Sequence, residues 1–179
     1  KMLLQFQASI TLISPKITPR LLRFAEEKRI HLIHRPYRAG DLKNALLVFA
    51  ATNDKIINHK IKQDAEKIGV PVNIADNPDM CDFIVPSIIK KGPIVIAIST
   101  SGTLPLLSKK LRKEISTVIN NTYITYAQNI GRFRKMLIES VHDEATRKRI
   151  MRKIDHMHVN DIASKTIKEL ENLFLSYKK

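Results

Sequence analysis

Between Ile10 and Ser99 short β-branched runs alternate with helical stripes, and this alternation limits the fold more than any other feature. Ile10–Ile13, Ile30–His34, Leu46–Ala51, Val72–Ala75, Phe83–Ile88 and Ile94–Ser99 read as strands. Leu46-Leu47-Val48-Phe49-Ala50-Ala51 is continuously apolar, as expected of a parallel strand covered on both faces. Thr18-Pro19 supplies a cap and a first-turn proline for a helix to about Lys28. Gly40-Asp41 opens a short helical turn. Thr52-Asn53-Asp54 caps a second long helix whose inward stripe is Ile57, Ile61, Ala65 and Ile68, and Gly69 ends it. Strand–helix–strand order predicts an α/β domain with a mainly parallel sheet. Its right-handed crossovers place the strand ends on one edge, where open α/β sheets bind ligands.

The loops expected on that edge are Ser14-Pro15-Lys16, Ala51-Thr52-Asn53, Ala75-Asp76-Asn77 and Ser99-Thr100-Ser101-Gly102, all small and polar. Ser99 to Thr103 precedes a helix near Leu104-Pro105, so its free N–H groups suit an anion; ordinary capping by Thr103 explains the same letters. Asp76 at a strand end serves either as a general base or as an Asx-turn residue. Ser14-Pro15-Lys16 stands where a dinucleotide fold usually carries its acidic ribose clamp. Either it meets a nucleotide through main-chain groups or it is a plain connection.

Leu104 to Lys179 has no clear strand, one glycine and long amphipathic stretches. It carries +8 of the chain's net +14, against +6 for residues 1–103. Such a balance attracts polyanions: nucleic acid, anionic membrane or a carboxylate-rich ligand. Nucleic-acid binding calls for aromatics interleaved with Lys and Arg, but aromatics are 6% of the chain and Trp is absent. No apolar run nears the roughly 20 residues of a membrane span. The single Cys81 excludes a disulfide framework and fits a reducing, cytoplasmic setting. It reads as an inert residue near a turn. The six scattered His form no metal-ligand pattern, so no metal site is expected.

The segments AATND at 50–54, Asn58, N-I-A-D at 73–76, F-I-V-P-S at 83–87 and S-T-S-G-T-L-P at 99–105, with Leu111-Arg112, occur in this order and spacing. In this the chain resembles the precorrin-2 dehydrogenases, the dehydrogenase module of siroheme synthase, over about residues 1 to 115. The resemblance implies NAD-dependent oxidation of precorrin-2 to sirohydrochlorin, or, as the alternative, a bifunctional enzyme that also inserts ferrous iron. It implies a Rossmann-like domain at 1–80, a dimerisation and substrate-loop region at 81–115 and a C-terminal helical domain at 116–179, in a homodimer. Asp76 matches the catalytic aspartate. Ser14, Pro15, Lys16, Ala51, Thr52, Asn53 and Asn73 match cofactor contacts, and Ser99, Thr100, Ser101 and Gly102 match the loop near the octacarboxylate substrate. The family's first strand and glycine-rich loop precede the strand at Ile10. The uncapped, helix-like Lys1–Phe6 predicts that this loop lies ahead of Lys1.

Overall fold

The computed structural model describes residues 2–75 and 77–178. They fall into two compact units, divided between Ile84 and Val85.

The first unit opens with α1 (Met2–Gln5), β1 (Thr11–Ile13), α2 (Pro19–Glu26) and β2 (His31–Ile33). β1 and β2 pair in parallel, Leu12 opposite Leu32. Pro19 sits at the start of α2, where its missing N–H costs nothing. The helix ends in a left-handed closure: Lys28 has φ 54°, its N–H reaches Ala25 O, and Arg29 N–H reaches Phe24 O at 2.9 Å. A 3-10 turn at Ala39–Leu42 leads to β3 (Val48–Ala50), α3 (Lys55–Lys67) and β4 (Val72–Ile74). β3 and β4 are parallel, Ala50 opposite Ile74, with α3 as the crossover. Asp54 caps α3 by accepting the N–H groups of Ile56 and Ile57 at 2.8 and 3.2 Å. Gly69, at φ 68°, ends it in the second left-handed closure, as its place in the sequence predicts. Leu42, Val48, Ala50, Ile61, Ala65, Val72 and Ile74 form the core of the unit.

Three expectations shift. Leu46–Ala51 is not covered on both faces: Val48 and Ala50 point inward, while Leu46, Leu47 and Phe49 are exposed. Phe49 meets Phe83 edge-on at 5.4 Å. The inward stripe of α3 takes Asn58 with Ile61 and Ala65; Ile68 lies past the last turn and is exposed. The strand expected from Phe83 begins only at Ser87 and is antiparallel.

That strand, β5 (Ser87–Lys91), opens the second unit and pairs with β6 (Ile94–Ile98) across Gly92-Pro93. Parallel pairing is thus confined to the first unit. Gly92 has φ 55°, and a Cβ there would stand 2.9 Å from Ile124 Cγ2, so glycine is required twice over. Five helices follow: α4 (Pro105–Val118), α5 (Asn121–Ser140), α6 (Glu144–Asp155), α7 (Val159–Ala163) and α8 (Ile167–Lys178). Asn120 and Asp143 cap α5 and α6. The Lys91 ammonium donates to Ser116 O and Ile119 O at 2.6 and 2.7 Å, neutralising the carbonyl end of α4. Phe133, Leu137, Val141, Ile150, Ile154, Ile162 and Phe174 make a second core. The buried Asn129 amide donates to Ile162 O and Lys165 O, closing the end of α7.

Candidate functional site

The site is built on the carboxyl ends of the first unit's parallel strands. Past β1, Ser14 N–H still donates to Ile33 O, and Ser14 Oγ donates to Lys16 O at 2.6 Å, folding the loop on itself. His34, one residue beyond β2, donates from Nε2 to Pro15 O at 3.1 Å. Pro15 and Lys16 are exposed. On the same pair of strands Arg35 forks onto both Asp41 carboxylate oxygens, and Arg38 N–H adds a third bond at 2.7 Å. The guanidinium holds the Asp41 carboxyl below its ordinary range. The negative charge at this edge is therefore compensated, and Lys16 adds a positive one beside it.

At the end of β3, Ala51, Thr52 and Asn53 are exposed. Thr52 Oγ1 donates to Asn58 Oδ1 at 2.7 Å and lies 3.0 Å from Asp54 O; it accepts Asp54 N–H at 3.2 Å. Thr52 N–H also donates to Asn58 Oδ1, and Asn58 Nδ2 donates back to Thr52 O at 3.0 Å. At the end of β4, Ala75 N–H donates to Ala50 O at 2.9 Å, so Ala51 and Ala75 leave the ladder side by side. Asp76 lies outside the described residues.

The chain returning from that turn is fastened at three points. Cys81 Sγ accepts Ile74 N–H at 3.1 Å and stands 3.3 and 3.2 Å from Ile74 O and Asn77 O. Asn73 Nδ2 donates to Phe83 O at 2.9 Å. Asp82 accepts Val72 N–H and the Lys62 ammonium, which hold its carboxyl below the ordinary range, the lysine most strongly. Cys81 lies at the end of the 3-10 turn Pro78–Met80, near a turn as expected, and also acts as a fastening. Pinning at Asn73 and Asp82 is also why residues 83–86 do not extend the next strand.

Asp41 and Asp82 both have folded-state pKa values below their unfolded ones. Their contribution is complete above the unfolded carboxylate value of about 4 and is lost as pH falls through the depressed folded value. The thermal unfolding midpoint should therefore fall steeply in acid below about pH 4. Asp82→Asn should flatten that fall, read by circular dichroism across the pH series. An unchanged slope would show that the Asp82 bonds contribute nothing.

The hydroxyl loop Ser99–Gly102 belongs to the second unit. Ser101 and Gly102 have φ 52° and 81°, and Thr103 N–H donates to Thr100 O at 3.0 Å, the pattern of a type I′ turn. Ser99 Oγ accepts Ser101 N–H, and Thr100 Oγ1 accepts Leu104 N–H at the start of α4. The N-cap of α4 is Leu104, with no side-chain cap bond; Thr103, the capping residue expected, donates its hydroxyl to Thr100 O instead.

The structure thus brings together Ser14–Lys16 with His34, and Ala51–Asn53 with Ala75. Small exposed residues, unpaired positive charge and main-chain groups at the ends of parallel strands fit a nicotinamide dinucleotide. The supports of these loops were not singled out from sequence as site residues. Asn58 had two visible signals, a polar residue within an apolar helical stripe and a place in the motif series after AATND. Lys62 and Asp82 had none, because their pairing spans twenty residues.

Residues 1–87 match a protein-family model described as putative NAD(P)-binding. The chain is 38% identical over 128 residues to siroheme synthase of Methylobacillus flagellatus, covering 72% of this chain and 27% of that protein. Siroheme synthase of Nitrosomonas europaea is 36% identical over 150 residues, covering 82% and 31%. The chain thus spans about a quarter to a third of the curated relatives it matches. Among solved structures, SirC, a precorrin-2 dehydrogenase, superposes with a TM-score of 0.76 over 99% of this chain and 85% of that one, at 21% identity. The two share a fold.

Proposed function

We propose that this chain, a homologue of part of the siroheme synthases with an NAD(P)-binding segment at residues 1–87, is a precorrin-2 dehydrogenase module. It oxidises precorrin-2 to sirohydrochlorin with NAD as the acceptor. The observation that carries this reading is the exposed Ala51–Asn53 edge, fixed from beneath by Asn58 and set beside the Ala75 turn.

The bound nicotinamide supplies a two-electron hydride acceptor. Ala51, Thr52 and Asn53 with Ser14, Pro15 and Lys16 hold the dinucleotide along the strand ends, and Asn73 supports the floor. Asp76 accepts the proton released as the macrocycle gains a double bond, so one C–H electron pair leaves as hydride and one proton goes to the carboxylate. Ser99, Thr100, Ser101 and Gly102 meet the substrate's carboxylates. The +14 charge favours capture of an octacarboxylate, most strongly at low salt.

The same reading divides the chain into a cofactor domain at 1–80, a dimerisation and substrate-loop region at 81–115 and a helical domain at 116–179. A homodimer is supported by apolar side chains left in the open on α4, its N-cap Leu104 and β6: Leu106 is 79% exposed, and Val95, Leu104, Leu107 and Val118 are exposed as well. A reducing, cytoplasmic setting is supported by the unpaired Cys81.

The test is anaerobic incubation of the purified protein with precorrin-2 and NAD. Reduced nicotinamide should appear in step with sirohydrochlorin, and its absence would refute the assignment. A further arm with ferrous iron reads whether siroheme also forms.

A further inference from the structure

We propose that Asn58 is a positioning residue for the dinucleotide: through three hydrogen bonds to one residue it presets the Thr52 loop in its binding shape. This rests on the oxidoreductase reading above.

Asn58 is 7% exposed, on the inward face of α3. Its Oδ1 accepts the Thr52 hydroxyl and N–H, and its Nδ2 donates to the Thr52 carbonyl. Every polar group of Thr52 is thereby engaged by a single side chain. The arrangement also fixes which end of the amide is oxygen, because two donors face one end and a carbonyl faces the other. Leucine at 58 would suit the stripe of Ile61 and Ala65 but would remove three hydrogen bonds from Thr52, leaving its N–H and carbonyl without the amide and its hydroxyl with Asp54 alone. Burying an amide there costs desolvation that only these bonds offset.

What the bonds hold is not core. Ala51, Thr52 and Asn53 are exposed, so packing does not order them. Their order comes from Asn58 below and from the Asp54 cap beside them. A loop already ordered loses less entropy when a ligand binds. Removing Asn58 should therefore appear in ligand affinity, beyond any loss of stability.

Calorimetric titration with NAD and with NADP, beside thermal unfolding, tests this. Asn58→Ala should raise the dissociation constant by about tenfold or more, measured well below the unfolding midpoint. Thr52→Val should weaken binding in the native background and add less than about twofold in the Asn58→Ala background, because both changes break one network. Asn58→Asp keeps the acceptor and loses the donor, so it should fall between native and Asn58→Ala; it also decides the matter if the alanine variant does not fold. A lowered unfolding midpoint with an unchanged dissociation constant overturns this inference and leaves the oxidoreductase reading standing. So do additive effects of the two substitutions. Native protein that binds neither dinucleotide overturns both.

Discussion

Asp76→Asn should lower the turnover number for precorrin-2 by about two orders of magnitude or more, while NAD affinity stays within about threefold of native. Asparagine is chosen because it separates the two roles the sequence allows. An Asx-turn needs only a side-chain oxygen to accept a nearby N–H, which asparagine keeps. A general base needs a carboxylate to receive a proton, which asparagine cannot do at neutral pH. If Asp76 only reverses the chain after β4, the variant stays active. If it receives the substrate's proton, the variant binds and does not turn over. Stability should change little, because the segment that follows β4 is fastened by Cys81, Asn73 and Asp82. Steady-state kinetics with precorrin-2, together with NAD titration and an unfolding curve, reads all three quantities. Native-like turnover removes Asp76 from the chemistry.

The parts of the fold legible in the sequence are those whose causes are local. Pro19 starts α2, Asp54 caps α3, Gly69 ends it and Gly92-Pro93 turns the hairpin, each through a φ preference or a side chain within three residues. What stayed hidden depends on partners distant in sequence. The start of β5 moved from Phe83 to Ser87 because Asn73 and Asp82 tie residues 82 and 83 back to β4. A continuous apolar run at 46–51 suggested burial on both faces, yet only Val48 and Ala50 face the core, since run length alone carries no direction. At the site, the loops Ser14–Lys16 and Ala51–Asn53 announced themselves as small polar breaks after strands. His34 did not, because only the folded crossover brings it to the Pro15 carbonyl; Asn58 showed as a polar residue on α3, but not its bonds to Thr52 six residues away.

In the second unit the largest effect should come from Phe133→Ala, expected to destabilise by about 3–5 kcal/mol. Phe133 is fully buried, lies edge-on to Phe174 at 6.0 Å and packs in the same cluster as Leu137, Ile150, Ile154 and Ile162. Truncation loses the transfer energy of the ring, empties its volume and removes the aromatic contact. Much of what surrounds that cluster is charged: Leu104–Lys179 carries sixteen basic and eight acidic residues, so apolar packing and not charge pairing must hold these helices. The ion pairs on α5 and α6, Lys135 with Glu139 and Lys148 with Glu144, are exposed and contribute little. Against a total of roughly 5–15 kcal/mol for a domain, the expected loss brings the unit close to unfolding. Tyrosine emission follows it directly, because three of the four tyrosines, Tyr123, Tyr126 and Tyr177, lie in this unit and there is no tryptophan. Guanidinium titration should move the tyrosine transition to markedly lower denaturant. The residues assigned to NAD belong to the first unit, which has its own core, so NAD affinity at low temperature should hold while precorrin-2 turnover falls. A transition at native denaturant would mean that the helices draw their stability from somewhere other than this cluster, and an equal loss of NAD affinity would mean that the cofactor loops depend on it.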